Sequence, residues 1–220
     1  MDFSEIVNLQ NKLNNNTNGP DWTSGITNKG RKINWLRCIY MEAAEAIDSL
    51  NWKHWKNLNG TEDIANLKVE TVDILHFLVS QFIAAHGVEQ TIEILNSEYQ
   101  KFRDQKFLLD FSNVTRSEQT VNVFEAMIKT SVNGKIPLSE FFQAVLIIED
   151  FTMEEVQSLY IGKNCLNEFR QDHGYKEGSY IKVWNGSEDN VYMQNIIEDN
   201  PLISFDKLYQ ELESTYSTLS

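Results

Sequence analysis

The sequence predicts an all-α fold: a helical-bundle core in one domain over residues 1–220, with 88–150 as a more variable lobe. Three observations carry this. Only three of the 220 residues are proline and ten are glycine, too few for the many turns of a sandwich or barrel. Apolar residues recur at steps of three and four along most of the chain, the period of an amphipathic helix. The clearest stretches without that period, Asn15–Lys32 and Gln171–Asn190, are short and rich in turn residues. A chain of this length can bury a sizeable core.

In order, Ser4–Asn14 reads as a helix with Ile6, Leu9 and Leu13 on one stripe. After the first loop, Asn34 is placed to cap a helix from about Trp35 to Leu50. A long helix starts at Thr61 or Glu62 and runs to His86, closed by Gly87. Val88–Leu109 follows, with Ile92, Leu95, Tyr99 and Phe102 in register. Between Asp110 and Pro137 the pattern weakens, and a helix is expected near 120–131. Leu138–Asp150 is helical. Phe151-Thr152-x-x-Glu155 marks a capping box, with Phe151 and Val156 set for a hydrophobic staple, so the next helix runs to about Arg170. Two outer helices, near Ser187–Asp199 and Ser204–Thr218, are separated by Pro201.

The chemistry concentrates in Cys38–Phe82. Glu42-x-x-Glu45 lies on one helix and Glu70-x-x-Asp73 on the next. Residues at i and i+3 are neighbours on a helix surface, so each helix presents two carboxylates about one turn apart. Ile39, Ala43 and Ala44 flank the first pair, and Val69, Val72 and Ile74 the second. Carboxylates among apolar neighbours need a counter-charge. Four acids on two antiparallel helices make a site for a hard divalent cation such as Mg²⁺, which takes oxygen ligands and leaves room for water and phosphate. Taken singly, each pair also suits a solvated helix face.

Other stretches carry weaker signals. Gln10 and Asn14, four apart, put two amides on one side of the first helix; amides can read a base edge, or lie exposed. Trp52, Lys53, His54 and Trp55 combine rings that stack on bases with a phosphate donor, or plug a helix pair. His76 reads as a hydrogen-bonded core histidine rather than a ligand. Tyr160, Lys163, Asn167 and Arg170 line up at helical steps, a phosphate clamp or a solvated basic stripe. Gln171–Asn190, with Lys176 and Lys182, is a loop that closes over a ligand or a short hairpin.

Composition narrows the partners. The net charge of −13 opposes binding to nucleic acid polymer or anionic membrane. The two cysteines, Cys38 and Cys165, fit no zinc pattern and suggest a reducing compartment. With no signal peptide and no apolar run long enough to span a bilayer, the expectation is a cytoplasmic protein without a membrane partner.

The paired acids resemble the metal motif of the all-α nucleoside triphosphate pyrophosphatases, the superfamily that includes MazG-type enzymes. MEAAEAIDSLNWKHWK, VETVDILHF, YIGKNCLNEFRQDHGYKEG and WNGSEDN, with LQNKLN upstream, are similar to the motifs of the dimeric dUTPases (dUTP diphosphatases). The likeness extends from Leu9 to Asn190. It implies an intertwined all-α homodimer that hydrolyses dUTP, and dUDP, to dUMP. By that resemblance Glu42, Glu45, Glu70 and Asp73 hold Mg²⁺, and Glu45 helps deprotonate the attacking water. Gln10 and Asn14 read the uracil edge, with His54 or one of its flanking tryptophans, such as Trp52, near the base, and Lys53 also binds substrate. Lys163, Asn167, Arg170, Tyr175, Lys176 and Lys182 contact phosphate or sugar, with Asn185 nearby. Two rivals stand beside it: a pyrophosphatase of the same superfamily for another nucleotide, and a helical interaction protein whose acids bind no metal.

Overall fold

The computed structural model describes residues 1–56, 60–104, 113–201 and 203–219. Among them are nine α-helices: α1 (Ser4–Asn18), α2 (Trp35–Asp48), α3 (Ile64–His86), α4 (Val88–Asp104), α5 (Arg116–Val132), α6 (Leu138–Ile147), α7 (Met153–Asp172), α8 (Asp189–Asp199) and α9 (Phe205–Tyr216). A single 3-10 turn spans Trp22–Ser24. The only sheet among the described residues is a two-stranded hairpin, β1 (Val183–Trp184) with β2 (Ser187–Glu188). The all-α expectation holds.

Helix α3 is the axis of the bundle. Leu67, Val72, Ile74, Leu75, Leu78, Val79 and Ile83 are buried around its circumference, the signature of a helix enclosed by others. Helices α1, α2, α4, α6 and α7 pack against it, and α5 packs along α2 and onto α6. Leu95, Phe124, Met127, Phe141 and Phe142 join the same hydrophobic core as α3, so the chemically silent middle third contributes packing. Each such side chain contributes about 1.5–3 kcal/mol by leaving water.

Helix ends follow local chemistry. Asn34 caps α2 by accepting from the Arg37 amide at 3.0 Å. Helix α3 starts at Ile64 rather than at Thr61 or Glu62, because the carboxylate of its N-cap, Asp63, accepts from the Asn66 amide at 2.9 Å. The Asp63 amide in turn donates to the Ser49 carbonyl, tying the end of α2 to the start of α3. Thr152 caps α7 as its motif requires, and Phe151 and Val156 are buried. The Glu155 carboxylate accepts from Lys68 at 2.9 Å. Helix α4 is described to Asp104; residues 105–109 of the expected helix lie outside the described residues. Helix α6 stops at Ile147, short of Asp150, because Ile148 turns extended and Asp150 is left-handed at φ 48°. Ser187 belongs to β2, so α8 begins at Asp189.

Candidate active site

Helices α2 and α3 run antiparallel. Ser49 at the end of α2 meets Asp63 and Asn66 at the start of α3, while Glu42 and Glu45, further back, meet Glu70. One carboxylate oxygen from each of these three lies within 4.8 Å of the others. Glu42 and Glu70 are half-buried and Glu45 is exposed. Burial, with repulsion from Asp73, Glu70 and Glu45, pushes the Glu42 carboxyl up to about 8. Burial and Asp73 also raise Glu70, and Glu42 and Glu70 share a hydrogen bond. A carboxyl that keeps its proton near neutrality reports more negative charge than this space can hold alone. Its oxygen-only donor set fits a hard divalent cation.

Asp73, the fourth acid, takes a cation supplied by the chain: Lys163 Nζ lies 2.8 Å from Asp73 Oδ2. Lys163 is only 4 % exposed, and it also donates to Asn190 Oδ1 at 3.3 Å. A cleft of about 380 Å³ opens beside the acids, lined by Glu45, Asp48, Asn51, Asp63, Asn66 and Glu70. A larger, more apolar groove of about 490 Å³ lies between the start of α3 and the α7–α8 pair, lined by Ile64, Leu159 and Ile197; none of the four acids lines it.

Two turns along α3 from the acids is a second polar cluster. Gln10 and Asn14 are each 3 % exposed, so the amide pair faces inward. Gln10 Nε2 donates to Asn14 Oδ1 at 3.2 Å and to Ser80 Oγ at 2.9 Å, and Asn14 Nδ2 donates to Ser80 Oγ at 2.9 Å. Gln10 Oε1 accepts from the Tyr160 hydroxyl at 2.7 Å and meets His76 Nδ1 at 2.7 Å. His76 and Tyr160 stack with ring centres 3.9 Å apart. Burial lowers His76 to about 4, so the ring is neutral at physiological pH. It is the hydrogen-bonded core histidine its position suggests.

The basic stripe of α7 is real but not solvated. Tyr160 meets the amide cluster, Lys163 meets Asp73, and Arg170 reaches a third site. Arg170 grips Asp189 with two bonds, Nε to Oδ2 at 2.7 Å and Nη2 to Oδ1 at 2.8 Å. It also donates to Asn167 Oδ1 and Asn190 Oδ1, each at 3.3 Å. Asp189 is fully buried and accepts a further bond from the Tyr180 hydroxyl at 2.8 Å. Sequence reasoning missed Asp189, Asn190 and Ser80. The first two lay in WNGSEDN, where the acids following an arginine-bearing helix were the available signal; nothing in the sequence pointed to Ser80.

The remaining residues sit apart from these clusters. Trp52 donates to Asp48 Oδ1 at 3.3 Å, and Lys53 pairs with the same carboxylate. Trp52 is 42 % and Trp55 62 % exposed, so they plug nothing; His54 packs edge-on to Trp55. Tyr175 is exposed, with the Arg170 guanidinium 5.8 Å from its ring centre. Lys176 donates to the Asn16 carbonyl at 3.0 Å, and Lys182 pairs with Glu188 at 3.1 Å. Asn185 is at the hairpin tip, left-handed at φ 47° before Gly186 at φ 93°, the Asn-Gly turn that joins two short strands.

A family model described as dUTPase matches residues 2–175. The chain belongs to the dimeric dUTPase family. Its members are dUTP diphosphatases, hydrolases of nucleoside triphosphates that generally need a divalent metal. The match spans α1 to α7 and so includes the acids, the amide cluster and the α7 stripe. Asp189, Asn190, Lys182 and Asn185 lie beyond it. None of the curated proteins matches the chain. No described helix is long and apolar enough to cross a membrane.

Proposed function

We propose that the chain is a cytoplasmic, Mg²⁺-dependent enzyme that hydrolyses dUTP, and dUDP, to dUMP as an intertwined homodimer of the MazG-like superfamily. The observation that carries the reading is the order of groups along α3. Glu70 and Asp73 lie at one end and Ser80, with Gln10 and Asn14, at the other. Ser80 lies seven positions beyond Asp73, a rise of about 10 Å, the scale of a nucleotide from its first phosphate to its base. Such a ruler supports a substrate laid along α3, phosphates at the acids and base at the amides.

Glu42, Glu45, Glu70 and Asp73 would hold the metal. Bound there, a divalent cation would supply polarisation of the phosphate and a lowered pKa for an attacking water. Glu45, the exposed acid on the cleft, would take the proton from that water. Lys163, Asn167 and Arg170 steady the phosphates, with Tyr175, Lys176, Lys182 and Asn185 around the outgoing end. Trp52, Lys53 and His54 lie near the cleft mouth.

The test is turnover with purified protein and Mg²⁺, offering dUTP, dUDP, dTTP, dCTP and UTP separately. The expected result is dUMP and pyrophosphate from dUTP, abolished by chelation, with the other triphosphates poor. Glu45→Gln should lower kcat by about 10² or more with the fold retained. Comparable turnover of another triphosphate would move the protein to a different nucleotide. No metal-dependent turnover of any would sink the enzyme reading.

A further inference from the structure

The amide cluster has a direction, and one hydroxyl sets it. Ser80 Oγ donates to the His76 carbonyl at 2.7 Å, within α3. A serine hydroxyl has one proton, so toward Gln10 and Asn14 it can only accept. Both amides must therefore present nitrogen to it, as they do at 2.9 Å. Neither ring against Gln10 could impose this, since a tyrosine hydroxyl and a neutral imidazole can each donate or accept.

With the direction fixed, capacity can be counted. Gln10 uses both N–H groups, on Asn14 and Ser80, and both lone pairs of Oε1, toward Tyr160 and His76. It has nothing left for a base. Asn14 spends one N–H on Ser80 and one lone pair on Gln10, keeping one of each. Uracil offers a donor at N3 beside a carbonyl acceptor. Cytosine has an acceptor at N3 and a donor at its amino group, the complement that a flipped amide would read.

We propose that Ser80 is a specificity-determining positioning residue: it locks the Asn14 amide, directly and through Gln10, in the orientation that accepts uracil and rejects cytosine. The inference rests on the reading that the base lies at this cluster. It divides the amide pair, giving Asn14 the base contact and Gln10 the task of holding it.

The experiment compares kcat/KM for dUTP and dCTP in wild type, Ser80→Ala, Ser80→Cys and Ser80→Thr. The free Asn14 Oδ1 lone pair accepts from uracil N3–H and opposes the cytosine N3 lone pair; loss of one such hydrogen bond should lower the dUTP/dCTP ratio about fivefold in Ser80→Ala. Ser80→Thr keeps the hydroxyl and should restore the ratio. Should the alanine protein not fold, Ser80→Cys answers the same question, since a thiol is a weak acceptor of similar size. A folded alanine or cysteine variant with the wild-type ratio overturns the inference, even if its KM has risen. A wild-type protein that does not turn over dUTP overturns the functional reading, and this inference with it.

Discussion

Glu42→Gln should stabilise the metal-free protein at alkaline pH. Burial and three neighbouring acids carry the Glu42 carboxyl from an ordinary 4.5 to about 8. The folded state then binds this proton more tightly than the unfolded chain, so its stabilising effect is complete below pH 4.5 and lost as pH rises to about 8. At about 1.4 kcal/mol per pH unit the full interval corresponds to roughly 5 kcal/mol. Glu42 is only half-buried and titrates together with Glu70, so screening and sharing reduce the expected figure to about 1–2 kcal/mol. Glutamine cannot ionise and escapes the penalty. The assay is thermal unfolding in EDTA at pH 5 and pH 8.5. The variant should match wild type at pH 5 and melt about 3–6 °C higher at pH 8.5. With Mg²⁺ and a non-hydrolysable dUTP analogue the order should reverse, because only wild type gains the bound-state stabilisation. Equal melting at both pH values without metal would refute the crowded-acid argument. A Mg²⁺ response equal in both proteins would remove Glu42 from the metal site.

Two further outcomes follow from the ion pairs. Lys163→Met removes the cation that occupies Asp73, so Mn²⁺ affinity measured calorimetrically should rise severalfold, while KM for dUTP rises about tenfold if the lysine also meets phosphate. Unchanged Mn²⁺ affinity would show that the lysine and the metal do not compete. Asp189→Asn leaves Arg170 buried without its counter-charge and should cost about 3–5 kcal/mol, a fall in melting temperature of roughly 10 °C. A change below about 2 °C would mean that Arg170 finds another partner.

Helical period and capping chemistry made most of the bundle legible, and the departures have local causes. Asp63 outcompetes Thr61 as a cap because its short carboxylate reaches the Asn66 amide. Asn185-Gly186 takes Ser187 into a hairpin before α8 can begin there. Within the site, the acids were readable because a three-residue step has one meaning on a helix. What each acid meets was not. Asp73 pairs with a lysine ninety residues away in sequence, and no spacing rule relates α3 to α7. Ser80 was invisible for the same reason: a lone serine in an apolar helix normally bonds back to its own turn. This one does so, and only the approach of α1 gives the remaining lone pairs a task.

The four acids are stabilised by three different means. Glu42 and Glu70 share a proton, Asp73 takes an internal lysine, and Glu45 stays in water. Each answers the same constraint, since several carboxylates so close cannot all ionise without a counter-charge. On the proposed reading each would be reversible by a divalent cation, which would displace a proton, compete with an ammonium or shed water. The Arg170–Asp189 pair is the opposite case. It is buried, bidentate and shared with Tyr180, so withdrawing Arg170 toward a phosphate would strand a buried carboxylate. On the proposed reading Lys163 changes partners as substrate arrives, while Arg170 meets phosphate from its fixed place on Asp189 and holds α8 and its Asn190 against the site.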